Sequence, residues 1–77
     1  MTTETRVNER NGFTYEMIVL NVGSSTYYFT AEKLCMKLVI EGIISAKESW
    51  KIEIEKSFQK QFEMLLPYKQ NLIELMK

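Results

Sequence analysis

Histidine and aspartate are both missing from this 77-residue chain, cysteine occurs once (Cys35), proline once (Pro67) and glycine three times. Without histidine, acid–base chemistry near neutral pH loses its commonest carrier. Zinc and other transition metals need clustered Cys and His, and Mg²⁺ or Ca²⁺ draws chiefly on Asp, which leaves only ten scattered glutamates as hard ligands. Paired Glu53 and Glu55 lie on different sides of a helix, and Cys35 has no histidine to activate it. The expectation is a protein that is not an enzyme, with no catalytic, cofactor or metal site. A lone thiol excludes an internal disulfide and fits a reducing, cytoplasmic compartment. No stretch approaches the ~20 apolar residues of a membrane span, and residues 1–6 lack the apolar run of a leader.

Charge of one sign is also lacking. Ten Lys plus Arg balance ten Glu, for a formal net charge of +0, so there is no surplus of cations to neutralise phosphates. What is present is apolar: 45% of the residues are hydrophobic and 12% aromatic, well above a disordered segment. Residues 1–77 read as one domain whose small core supplies roughly 3–5 kcal/mol of net stability, which favours self-association. The abundance of Lys, Ile, Glu, Tyr and Phe suits an AT-rich bacterial or phage genome.

The chain divides into a β-rich front and an α-rich back. Asn11-Gly12 fits a type I′ turn, and the polar residues 1–10 before it fit either an edge strand or a frayed terminus. Residues 13–29 read as a β-hairpin turning at Gly23-Ser24, which fits a II′ turn with Ile18 opposite Phe29, Leu20 opposite Tyr27 and Val22 opposite Ser25. Thr30 is placed to cap a first helix over residues 31–41, with Gly42 and Ile43 placed for a Schellman ending. Ser45 and Glu48 have capping-box spacing for a second helix. Trp50, Ile54, Phe58, Phe62 and Leu65 share a stripe that Tyr68, Leu72, Leu75 and Met76 continue in phase, predicting one helix over 46–76 kinked near Pro67. Straight, it would span ~46 Å, against a diameter of roughly 30 Å for a compact chain of this length. The fold class expected is therefore α+β, with an antiparallel hairpin or three-stranded meander packed on a helical hairpin.

The Gly-Ile-Ile-Ser-x-x-Glu run of residues 42–48 resembles the helix-turn-helix centre of the short bacterial SHOCT modules, although Ser49 stands where those modules favour phenylalanine. That resemblance covers only the run and a few preceding leucines, and it implies self-association or partner contact.

Two surfaces are left over. The first helix is apolar over about 240° of its circumference, more than one sheet covers, so Leu34, Cys35, Leu38 and Val39 read as core and Met36 and Ile40 as contacts to a second subunit. Trp50 and Phe58 on the second helix complete that candidate dimer or second interface. The strand pair is apolar on both faces. Ile18, Leu20, Val22, Tyr27 and Phe29 face the helices, while Phe13, Tyr15, Met17, Val19 and Tyr28 need cover from residues 68–77, a symmetry mate or a protein partner. Aromatic and Met-bearing faces of this kind suit protein interfaces. The function expected is stoichiometric protein binding by a small homodimeric adaptor or inhibitor. The alternative is a DNA-binding or transcription-associated accessory protein, for which Lys47, Glu48 and Lys51 make a poor recognition surface.

Overall fold

A computed structural model describes residues 1–77. The chain begins with a three-stranded antiparallel sheet in the order β1 (Thr2–Val7), β2 (Thr14–Val22), β3 (Ser25–Phe29). Gly23 has φ 61° and Ser24 does not have a positive φ, as a II′ turn requires. The pairing that follows is Ile18 with Phe29, Leu20 with Tyr27 and Val22 with Ser25, the register expected of this turn. Residues 2–7, though polar, form a paired edge strand rather than a frayed end.

The first reversal differs from a two-residue Asn11-Gly12 turn, which would have set Arg10 against Phe13. Asn8 instead starts the loop two residues earlier, its side-chain oxygen accepting from the Arg10 N–H at 2.9 Å. The Asn8 N–H donates to the Phe13 carbonyl and the Gly12 N–H to the Asn8 carbonyl, both at 2.8 Å, with Gly12 at φ 74° closing the four-residue loop. Because the register moves by two residues, every side chain keeps its face.

Four helices follow: α1 (Ala31–Ile40), α2 (Ala46–Glu53), α3 (Phe58–Leu65) and α4 (Lys69–Met76). Thr30 caps α1, its hydroxyl accepting from the Lys33 N–H at 3.2 Å. Gly42 at φ 74° ends it, with Gly42 N–H donating to the Val39 carbonyl at 3.0 Å and Ile43 N–H to the Leu38 carbonyl at 2.9 Å, the two bonds of a Schellman motif. The Ser45–Glu48 capping box on α2 is formed in both directions. Since nothing lies within 4 Å of a Cβ built at Gly42, Gly42→Ala meets only backbone strain. It should cost about 1 kcal/mol, and Ser45→Ala ~1 kcal/mol, both read as lowered urea midpoints at unchanged slope.

The helical arm over residues 46–76 consists of joined pieces, and this corrects the expectation of one helix bent only at Pro67. Besides the 3₁₀ turn Leu66–Tyr68 that contains Pro67, there is an earlier break after Glu53. The Ser57 hydroxyl accepts from the Lys60 N–H at 3.4 Å, and the Gln61 side-chain amide donates to the Ile52 carbonyl at 3.2 Å. One polar residue thus starts α3 while another satisfies the end of α2. The break also resets the helical phase. Ile52 and Ser49 turn inward, whereas Trp50 and Ile54 are thrown to solvent from the stripe assigned to them. The ion pairs present are Arg6–Glu4 and Lys77–Glu74, neither of them in α2 or α3.

Ile18 and Leu20 of β2 form the core with Leu34, Cys35 and Leu38 of α1, together with Ile44, Ile52, Leu65 and Leu72. The bends fold the arm back, so that α4 packs against β2 with Leu72 fully buried. Tyr68 pins the return by donating to the Glu48 carboxylate at 3.4 Å. The thinnest dimension is 18 Å, room for one sheet and one layer of helices.

Candidate functional site

The pleat decides what the sheet presents away from the helices. Ile18 and Leu20 point to the core, so Tyr15, Met17 and Val19 of β2 and Tyr28 of β3 point outward. β1 adds Thr2, Glu4 and Arg6 to this outer face, paired with Val19, Met17 and Tyr15. The Arg6 guanidinium lies 4.0 Å from the centroid of the Tyr28 ring, and its Nε donates to the Glu4 carboxylate at 2.8 Å. Tyr28 remains 42% exposed and Tyr15 44%, while Met17 and Val19 are half-buried among their neighbours. The C-terminal segment gives no cover here, since Leu72 belongs to the core on the opposite side. Phe13 is 73% exposed in the loop rather than the strand, because the wider turn draws it past the end of the pairing.

Glu4 and Arg6 belong to this face although polar residues in a polar segment give no site signal by themselves. Their i,i+2 spacing carries the signal, since alternate residues of a strand share a face once that strand is known to form. Arg6 brings a cation to aromatics that the strand pair itself leaves without one. The adjoining Glu4 neutralises it, and the hydrogen bond between them holds the guanidinium pKa above its ordinary value.

A second apolar surface lies between α1 and α2. Met36, Val39, Ile40, Ala46 and Trp50 line one groove, with Ile40 74% and Trp50 60% exposed. Phe58 is not part of it. The break after α2 places Phe58 half-buried beside Ala31, at a separate cleft that carries Glu16, Glu32 and Glu53. No group of three or more Cys, Asp or Glu side chains is clustered to hold a metal ion.

Cys35 is buried in the core, and burial pushes its thiol up from 9.0 to about 11, with the negative charges of Glu53 and Glu32 adding to the shift and the Ser49 hydroxyl opposing it. A raised pKa means that the folded state holds the proton more tightly than the unfolded state. The resulting stabilisation is fully present below pH 9 and is lost as pH rises toward 11, on the order of 2–3 kcal/mol. Urea midpoints measured across pH 8–11 should therefore fall more steeply for the native chain than for Cys35→Ala. A parallel fall in both would show that Cys35 is not the linked group.

No helix is long and apolar enough to cross a membrane. Compared with protein-family models, curated proteins and solved structures, the chain matches none. Within the run that resembles SHOCT modules, Gly42, Ser45 and Glu48 serve as helix caps. The class defined by the fold is a small two-layer α+β domain carrying two open apolar surfaces.

Proposed function

We propose that this chain is a non-catalytic protein-binding module, an adaptor or inhibitor of bacterial or phage type, acting by stoichiometric contact in the cytoplasm as a homodimer. The observation that supports this reading is the outer sheet face, where Tyr15 and Tyr28 stay exposed and Met17 and Val19 only half-buried, because the helices, α4 included, pack on the other side of the sheet. Tyr, Met and Arg are enriched where interfaces bury area, and Arg6 stacked on Tyr28 is already held in place. The groove with Met36, Ile40 and Trp50 offers a second contact surface.

The test pairs capture with folding. Tagged wild type, Tyr15→Ala and Tyr28→Ala are used to capture partners from a bacterial lysate, and each variant is melted in parallel. Loss of the wild-type partner by variants with unchanged melting temperatures is the expected result. Undiminished capture by both would exclude this face and direct attention to Trp50. A salt-sensitive shift with nonspecific DNA would favour a nucleic-acid accessory role instead.

A further inference from the structure

The exposed edge of β1 carries the pattern of a self-pairing strand. Edge strands are ordinarily blunted by charged side chains, Lys above all, or by Pro, bulges or a covering element, and the charges of β1, Glu4 and Arg6, are one of each sign. β1 has neither Lys nor Pro, pairs without interruption from Thr2 to Val7, and is exposed at every position except Arg6. Nothing on the helix side shields it, for Val7 is 59% exposed.

Backbone phase limits what this edge accepts. The Asn8 N–H bonds Phe13 across the first hairpin, so the even-numbered residues of the strand direct their backbone groups toward β2. Thr3, Thr5 and Val7 therefore direct theirs outward. Two copies of β1 joined antiparallel must match outward residues with outward residues, which restricts a two-fold pairing to registers that place a residue opposite its own counterpart. Centred on Glu4, such a pairing sets two carboxylates against each other. Centred on Arg6, it sets two guanidiniums against each other. Centred on Thr5, it sets Glu4 against Arg6 of the second copy twice over, with Thr5 opposite Thr5 and Thr3 opposite Val7. Opposite charges directly across a ladder stabilise it and like charges destabilise it, so the charges select the register that also pairs all three outward residues, Thr3, Thr5 and Val7.

We infer that β1 is a dimer seam, at which two copies of this chain pair antiparallel about Thr5 and merge their sheets into one continuous sheet. The two-fold axis runs through the sheet, so both outer faces fall on the same side and the Tyr15–Tyr28 surface is doubled. This inference rests on the homodimer reading above but locates the contact away from the Met36–Trp50 groove. An isologous contact at one surface closes the assembly; a second at the groove would propagate it.

Light scattering on the full chain over a concentration series tests the seam. Wild type is expected at twice 9.1 kDa, and Glu4→Arg alone and Arg6→Glu alone are each expected at 9.1 kDa. An equimolar mixture of the two variants restores both opposite-charge pairs and should recover the doubled mass. Recovery also shows that the variants are folded. Thr5→Pro removes an outward N–H without touching the β2 ladder, and is expected to keep its circular dichroism spectrum while losing the dimer. A folded Thr5→Pro that remains dimeric, or no recovery on mixing, overturns the seam. A dimer lost only in Ile40→Glu overturns it in favour of the groove and leaves the homodimer reading standing. A wild type at 9.1 kDa at every concentration overturns both.

Discussion

Leu34→Ala should remove most of the domain's stability at 25 °C without denaturant. Leu34 is fully buried on α1, which packs against α2 and α3 and contributes Leu38 and Cys35 to the same core. Truncating a buried leucine removes its transfer free energy and leaves a cavity, typically costing 2–5 kcal/mol. The whole domain has roughly 3–5 kcal/mol to lose, so the variant keeps little of its stability and populates unfolded molecules even in water. Met36→Ala, two residues away on the exposed side of the same helix, should change stability by about 0.5 kcal/mol or less. Far-UV circular dichroism and urea titration on the two variants give the contrast. A Leu34→Ala midpoint near that of Met36→Ala would mean that α1 is not the central helix.

Tyr28→Ala should have the opposite profile, with a large effect on partner binding and a small one on folding. Its ring lies on the outer face, 42% exposed, with Arg6 4.0 Å above it rather than a core neighbour. Folding loses part of a cation–π contact, about 0.5–1 kcal/mol at an exposed site. Binding loses a central aromatic whose truncation commonly costs 2 kcal/mol or more, roughly a thirtyfold weakening. Titration of the captured partner against wild type and Tyr28→Ala, with thermal melts of each, separates the two. A thirtyfold weakening matched by a collapse in melting temperature would make Tyr28 a structural residue. Arg6→Ala supplies an internal comparison, because it frees the Tyr28 ring and removes the partner of Glu4 without altering the strand's hydrophobic pattern.

The candidate surfaces were legible to different degrees. Alternation along residues 14–22 separates the two sheet faces from sequence alone, and the apolar arc of the first helix is wider than its neighbours cover, with Met36 and Ile40 exposed. A continuous-helix projection puts Trp50 on the same stripe as Phe58, but the structure brings Trp50 to Met36 and leaves Phe58 elsewhere. The 100° projection holds only while the helix is continuous. Ser57 alone gave a local hint of the break, and it lacked the Glu or Gln three residues later that marks a capping box.

What the sequence determined by itself is what interactions within about six residues decide. The II′ turn at Gly23-Ser24, the Thr30 cap, the Schellman ending at Gly42 and the Ser45–Glu48 box each place a donor near an acceptor without outside help, and together they dictate strands followed by a helical hairpin. Three outcomes were left to tertiary structure. β1 forms because β2 offers it a full ladder and Tyr28 receives Arg6; the arm breaks where Gln61 reaches back to the Ile52 carbonyl; and α4 returns to the helix side, where Leu72 is buried. Each depends on groups distant in the chain satisfying one another's backbone or apolar surface. The free energy of that satisfaction exceeds the small local preferences that a pattern records.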